Sequence, residues 1–262
     1  VTGATTIAGW SNTNGGAPNK NVTGNTFTNW TGGTSAVTAI NINFDGGNTT
    51  VSGNTINTIT NGNTITGIAF STSGTGATFA LNNTIHTLTG TGTGAVTGIS
   101  VSGSSGGRNI VRNKIYGLEN SNAGGSVNGV LITGGTAITI QNNLIGNLTA
   151  PAATGSDAVR GISSTSSTAS STINVYYNTV YISGGGGTNF GSSGIFHTTS
   201  TTATTAALNL RNNIIVNNTT PNGTGLAVAY RRSSGIANTL ANYAATSNNN
   251  LFYAGTPGAS NL

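Results

Sequence analysis

The feature that most constrains this chain is a repeated signature, an asparagine followed two residues later by an apolar side chain. It occurs in "GNTINTI", "NNTIHTL", "RNKIYGL" and five further segments. The aligned asparagines are Asn25, Asn54, Asn83, Asn113, Asn143, Asn178 and Asn213, with a less regular last member around Asn250. Their spacings are 29, 29, 30, 30, 35, 35 and 37 residues, a period that indicates a solenoid of stacked units.

Two apolar columns share this register. The residues two places after the asparagines are β-branched or aromatic throughout: Phe27, Ile56, Ile85, Ile115, Ile145, Val180, Ile215 and Phe252. The second column follows a small residue, as in "TGIAF" and "TGISV", and comprises Ile40, Ile68, Ile99, Val130, Ile162, Ile195 and Leu226. A third apolar segment, as in "ATFAL" and "TINVY", lies between them. Each repeat therefore predicts three short strands, because these side chains favour strands whereas Thr, Asn and Gly disfavour helices.

Short strands that recur at this period have one economical arrangement. No helical pattern lies between them that would make βαβ units. If each strand pairs with its counterpart one turn later, three parallel sheets enclose a common core. We therefore predict an all-β fold without significant helix, a right-handed parallel β-helix of about eight coils and roughly 38 Å in length. We interpret residues 1–262 as one such domain, either a segment of a longer chain or a fibre subunit.

This fold predicts a core stack and a polar ladder. The core stack consists of Phe27, Ile56, Ile85, Ile115, Ile145, Val180 and Ile215, each packing on its counterpart one coil away. The seven asparagines from Asn25 to Asn213 are predicted to form a structural ladder, in which each amide bonds the neighbouring coil at a bend. Alternatively, each asparagine is only a good turn residue. Recurrence over seven coils favours the ladder.

Charged residues make up 4% of the chain, and their scarcity excludes several functions. Eight cations are too few and too scattered to neutralise many phosphates, so no nucleic-acid partner is predicted. Arg231 and Arg232 are predicted to be a solvated pair on a loop. No apolar run is long enough to span a bilayer, so no membrane span is predicted. Methionine is absent even at position 1, which indicates a processed export product or a segment of a longer chain.

The sequence offers little to catalysis or to metal binding. It has no cysteine, two histidines (His86 and His197) and three acids (Asp45, Glu119 and Asp157). Glycoside hydrolysis needs two carboxylates within about 5 to 9.5 Å of each other, whereas these acids fall in different columns and coils. No cluster of carboxylates suits calcium. We therefore predict no catalytic, metal-binding or cofactor-binding residues, no cofactor, and no enzymatic activity.

One outward column carries the remaining candidates for recognition. His86 shares it with Thr28, Asn57, Tyr116 and Tyr181, which indicates an exposed histidine. Tyr116, Tyr181 and Tyr253 fit either a sugar-stacking strip or ordinary surface decoration, and their interruption by Gly146 and Val216 favours decoration. In an adjacent column Thr26, Thr55 and Thr84 begin an array suited to ice, but Lys114 and Leu144 break it.

The segments "SGNTINTI", "LNNTIHTL" and "IVRNKIYGL", each followed by a "TGI"-like strand, resemble the parallel β-helix repeat of the pectin-lyase-like superfamily. The long coils, the loops rich in Asn, Thr and Gly, and the near absence of charge are most similar to large secreted bacterial surface proteins. The resemblance covers about residues 20–254. It implies the fold, but lyases, hydrolases, adhesins and phage fibres share the repeat, so it does not single out a function.

These observations predict an extracellular or cell-surface protein with a structural or adhesive role. Unpaired strands at the ends of a solenoid offer an edge to another coil. The expected partners are therefore a continuation of the same chain in a stalk, or identical units stacked end to end in a filament. Surface glycans are a further expected partner. The alternative function is a polysaccharide-binding or polysaccharide-degrading β-helix module.

Overall fold

The computed structural model describes residues 4–12, 18–44, 46–71, 74–103, 106–233 and 239–262, and Asp45 lies outside them. Within these residues the chain is all β, with three parallel sheets and no helix. Neighbouring strands of a sheet are three places apart along the chain, except β21 and β23, which are two places apart. This confirms the predicted three-sheet parallel β-helix.

The strands of the described residues are numbered β1 to β23 in chain order. The first sheet contains β1 (Ile7–Asn12), β4 (Val37–Ile42), β7 (Ile65–Phe70), β10 (Val96–Val101), β13 (Val127–Ile132), β16 (Val159–Ser164), β19 (Ser192–His197) and β22 (Ala227–Arg232). The second sheet contains β2 (Lys20–Thr23), β5 (Thr49–Ser52), β8 (Thr78–Leu81), β11 (Gly107–Val111), β14 (Ala137–Gln141), β17 (Thr172–Tyr176) and β20 (Ala207–Arg211). The third sheet contains β3 (Thr26–Thr31), β6 (Thr55–Asn61), β9 (Thr84–Gly90), β12 (Lys114–Asn120), β15 (Leu144–Thr149), β18 (Thr179–Gly185), β21 (Ile214–Thr220) and β23 (Leu251–Tyr253).

The core lies between the sheets and consists of side chains stacked along the solenoid axis. Pairing in the third sheet places Phe27 beside Ile56, Ile56 beside Ile85, and so on to Ile215. From Ile56 to Ile215 these side chains are fully buried, whereas Phe27 and Phe252, at the two ends of the column, are partly exposed. One coil alone would leave the upper and lower sides of its inward side chains exposed, so complete burial requires stacking of coils.

Ile56 and Ile59 are both fully buried although they are three residues apart. A regular strand points every second side chain to the same face. Thr58, between them, has a positive φ of 53°, and this single left-handed residue turns the chain so that both isoleucines face inward. Asn29, Thr87, Gly117 and Asn147 have the same conformation in β3, β9, β12 and β15.

The asparagine ladder runs along the bend between the second and third sheets. In its repeating unit, Asn83 Oδ1 accepts hydrogen bonds from Asn54 N and Asn54 Nδ2, both 3.0 Å long. Asn83 Nδ2 in turn donates to Asn113 Oδ1 at 2.9 Å and to the carbonyl of Val51 at 2.9 Å. Each interior amide therefore bonds the coils on both sides of it.

The same pattern continues along the whole column. Its members are Asn25, Asn54, Asn83, Asn113, Asn143, Asn178, Asn213 and, in addition, Asn250. The members from Asn54 to Asn213 are at most 2% exposed, so their amides satisfy one another away from water.

A left-handed residue precedes every member of the ladder. These residues are Gly24, Gly53, Asn82, Arg112, Asn142, Tyr177, Asn212 and Asn249, with φ between 53° and 67°. The conformation turns the chain from the second sheet into the third. Arg112 and Tyr177 adopt it at a steric cost that Gly and Asn largely avoid.

A column of glycines explains the small residue in the second motif. A Cβ added to Gly67, Gly98, Gly129, Gly161 or Gly194 would lie 2.5 to 2.7 Å from a carbonyl oxygen of the next strand. The same Cβ would come within 2.3 to 3.0 Å of a methyl group of the core stack, such as Ile145 Cγ2 beside Gly129. The first sheet therefore approaches the core stack closely only because this position lacks a side chain.

The structure corrects the last member of the second apolar column. Ile195 pairs with Tyr230, and not with Leu226 as the "TGLAV" segment suggested. Leu226 precedes β22 and is only partly buried. At the other end of the column, Trp10 of β1 pairs with Ile40, so the fold begins before the region that carries the resemblance.

Replacing Asn113 with alanine is expected to destabilise the protein by about 3 kcal/mol. The substitution removes the acceptor of Asn83 N and Asn83 Nδ2 and leaves the carbonyl of Ala80 without its donor, all in a buried site. Urea unfolding followed by circular dichroism measures the change. The matched control is Asn218→Ala on the exposed face of β21. Equal midpoints for the two variants would contradict a stabilising ladder.

Candidate functional site

The outer face of the third sheet carries the largest group of exposed apolar side chains that pairing brings together. Its tyrosine column runs Thr28, Asn57, His86, Tyr116, Gly146, Tyr181, Val216, Tyr253. The adjacent column runs Thr26, Thr55, Thr84, Lys114, Leu144, Thr179, Ile214, Leu251. The predicted membership of both columns is therefore correct.

The character of this face changes along the solenoid axis. From β3 to β9 it is polar, with threonines in the adjacent column and again in a column of Thr31, Thr60 and Thr89. At β12 the threonine columns are interrupted by Lys114 and Glu119. From β15 to β23 the exposed side chains are mainly apolar, and Leu144, Tyr181, Ile214, Leu251 and Tyr253 are each 46% to 51% exposed. We call this part, from β15 to β23, the apolar face.

Large and small side chains alternate along the tyrosine column of the apolar face, in the order Gly146, Tyr181, Val216 and Tyr253. Where the tyrosine column has Gly146, the adjacent column has Leu144, and beside Tyr181 it has Thr179. No charged residue belongs to these two columns between β15 and β23. The face is therefore neutral. Its successive tyrosines lie two strands apart, which is about 9.6 Å along the solenoid axis.

The ring of Tyr116 stacks on that of His86 at the border of the apolar face. Its centroid lies 4.9 Å from that of His86, and the two ring planes differ by 4°. One side of the Tyr116 ring is therefore covered by His86. His86 Nδ1 also lies 2.9 Å from Thr87 Oγ1.

The two carboxylates that the structure describes occupy unrelated places. Glu119 lies on β12 of the third sheet, where Thr149 Oγ1 donates to it at 3.2 Å. Asp157 precedes β16 of the first sheet, and its Oδ2 accepts from Arg160 Nε at 2.9 Å. Ser193 Oγ donates to the other oxygen, Oδ1. Asp157 is thus held in a local ion-pair cluster, and no second carboxylate of the described residues adjoins it in these contacts.

Arg231 and Arg232 do not lie on a loop, contrary to the sequence-based prediction. They end β22, where they pair with Phe196 and His197. Arg231 Nη1 donates to the carbonyl of Ser156 at 3.0 Å and lies 3.9 Å from Asp157 Oδ1. Arg232 Nη2 donates to Asn242 Oδ1 at 2.8 Å. Both guanidinium groups therefore connect neighbouring segments.

No protein-family model, no curated protein and no solved structure matches this chain. Among the described residues, no three His, Cys, Asp or Glu side chains are grouped as metal ligands would be. Nor does that part of the chain contain a helix of the length and hydropathy needed to cross a bilayer.

Arg108 is one of the scattered cations of the sequence, but in the structure its side chain is completely buried. It lies on β11 between Thr78 and Ile138 of the flanking strands, both of which are buried. Its Nη1 donates to the carbonyl of Gly76 at 3.3 Å. Strand alternation was the available signal, since Arg108 and Ile110 lie on the same side of β11.

His197 is also fully buried, at the end of β19. Its Nε2–H donates to the carbonyl of Ala206 at 2.9 Å, so Nδ1 accepts from the hydroxyl of Tyr230 at 3.4 Å. Burial lowers the pKa of His197 to about 4, opposed by the Ala206 hydrogen bond and assisted by the charge of Arg232. Burial likewise raises the pKa of Tyr230 to about 12. The network holds the segment 198–206 against β22 with a neutral imidazole.

Acid is expected to destabilise the fold through His197. Above pH 6.5 the imidazole is neutral in both the folded and unfolded states. Below it the unfolded chain takes up a proton, while the buried ring resists protonation until about pH 4. Stability therefore falls between pH 6.5 and 4, by about 3 kcal/mol in total. Chemical unfolding at several pH values measures this loss.

The control separates His197 from the other histidine. His197→Gln removes the titrating group, so the free energy of unfolding of this variant should change less between pH 6.5 and pH 4. His86→Gln alters a partly exposed ring and should retain the full pH dependence. The same pH dependence in both variants would refute the assignment to His197.

Proposed function

We propose that this protein is an extracellular structural or adhesive β-helix protein that forms part of a cell-surface stalk or of an end-to-end filament. The observation that supports this most is the self-repeating strand pairing. Interior strands of each sheet pair on both sides, whereas β1, β2 and β3 pair on one side only among the described residues. An unpaired parallel edge accepts a further strand.

Partly exposed apolar side chains lie on strands at both ends of the solenoid. Trp10, Phe27 and Trp30 belong to the first strands of their sheets and are only partly buried, and Phe252 of β23 is 42% exposed. Another coil placed on either side would cover them in the way that each interior coil is covered. That coil is supplied by more of the same chain in a stalk, or by an identical chain in a filament.

The family and the location belong to the same proposal. The repeat resembles that of the pectin-lyase-like superfamily, and the chain is most like its large secreted bacterial surface proteins. A scarcity of charge suits close association, because little repulsion opposes it. The proposed role is not enzymatic, since Asp157 is paired with Arg160 and Glu119 lies in another sheet.

Electron microscopy and sedimentation test the main proposal. We expect immunogold labelling of cells that produce the protein to mark the cell surface or material shed from it. Sedimentation of the purified chain should show filaments if units stack, or single rods if the chain is part of a continuous stalk. Label confined to the cell interior would refute the proposal.

Polysaccharide binding is the second candidate, because Tyr116, Tyr181 and Tyr253 lie half exposed in one column. If it is correct, the protein is retained on insoluble polysaccharide, and Tyr181→Ala weakens retention about fivefold through loss of ring contacts. Tyr177→Ala, which removes a tyrosine outside this column, is the control. Equal retention of both variants would contradict binding by the column. Cleavage of acidic polysaccharides would support a degrading module and refute the non-enzymatic role.

A further inference from the structure

We propose that the apolar face binds the apolar face of a second copy of this chain, with the two solenoids antiparallel. The inference deepens the proposed structural role, on which it rests, by naming a lateral partner for a rod or filament. It starts from the shape of the tyrosine column.

The column contains slots one strand wide. Gly146 has no side chain, so an open slot lies above it between Tyr116 and Tyr181. These tyrosines are two strands apart, and a ring inserted midway would lie about 4.8 Å from each. That is close to the 4.9 Å that already separates the stacked rings of His86 and Tyr116. The slot therefore suits a flat side chain inserted edge-on.

Tyr253 of a second copy can supply such a side chain. A twofold axis that lies between the faces, perpendicular to both solenoids, makes each column face itself in reverse order. Placing Gly146 opposite the partner's Tyr253 then sets Tyr181 opposite the partner's Val216. In the adjacent column, Leu144 meets the partner's Leu251 and Thr179 meets the partner's Ile214. In three of these four pairs, a large side chain meets a smaller one.

The distribution of charged residues is compatible with this antiparallel register. The facing positions from β15 to β23 carry no charged side chain, and Lys114, one strand before them, falls outside the pairing. No cation or anion is therefore buried without a partner. A polyanionic ligand would find no complementary charge here. A neutral glycan stacks on open ring faces, whereas one side of the Tyr116 ring is already covered by His86.

The contact area indicates how strong the pairing is. Four strands about 4.8 Å apart, three of them roughly 20 Å long and β23 about 10 Å long, offer about 340 Å² per copy, less than half of the ~800 Å² typical of a stable interface. Isolated chains should therefore pair weakly. Chains joined in a stalk or filament repeat the contact along the axis, and multivalency then strengthens it.

Cysteine cross-linking tests the register, because the chain has no cysteine of its own. The variants Leu144→Cys and Leu251→Cys, both at exposed positions, are mixed and treated with a short bismaleimide, since facing sheets about 10 Å apart are too distant for a direct disulfide. We expect the mixture to form cross-linked dimers of one variant with the other. Leu144→Cys alone should not cross-link, since the two copies of that residue lie three strands, about 14 Å, further apart along the axis, beyond the reach of the reagent.

Two controls make the result decisive. Ala137→Cys, exposed on the second sheet, mixed with Leu251→Cys reports random collisions. Adding Tyr181→Lys to both cysteine variants introduces charge into the contact and should lower cross-linking about tenfold. Cross-linking of Leu144→Cys with itself, equal cross-linking in all mixtures, or none at high protein concentration would each overturn the proposal.

The same samples, viewed by electron microscopy, separate this inference from the proposed function. Filaments that form without the 144–251 cross-link would contradict lateral pairing and leave end-to-end assembly intact. Cross-linked pairs of a protein that labels only the cell interior would contradict the extracellular role and leave the pairing intact.

Discussion

In-register stacking of inward side chains, coil upon coil, is the interaction on which the rest of this structure depends. Parallel pairing sets each residue about 4.8 Å from its counterpart, so a side chain in the bore packs mainly on the same position in the neighbouring coils. A column of isoleucines can therefore exclude water, although the side chains of one coil alone could not bury one another. The same geometry explains why Phe27 and Phe252, at the two ends of one column, remain partly exposed.

Stacking in register also determines which polar residues can be buried and which positions must be glycine. An asparagine at a bend can be buried only because the asparagines above and below it use its oxygen and its amide hydrogens. Gly129 must lack a side chain because the next strand and Ile145 already occupy the space. Arg108 and His197 are large buried polar side chains outside the ladder, and each bonds a backbone carbonyl of a neighbouring segment.

On the outside, stacking turns single residues into rows. Threonines form ordered columns from β3 to β9, and apolar side chains with slots between them form the apolar face from β15 to β23. A repeated surface of this kind suits contacts with other repeated surfaces, which is why the proposals concern assembly. With no matching family, these roles rest on geometry and on the scarcity of charged groups.

The sequence by itself determined the period, the all-β class, the asparagine column and the core stack, because in-register pairing converts spacing along the chain directly into position in space. It did not determine which of two similar segments pairs in the last turn, so Leu226 was chosen where Tyr230 belongs. Nor did it show that Arg108 is buried, that Arg231 and Arg232 end a strand, or that the Tyr116 ring stacks on His86. Those features depend on hydrogen bonds and packing between residues far apart in sequence, and only the tertiary structure brings these residues together.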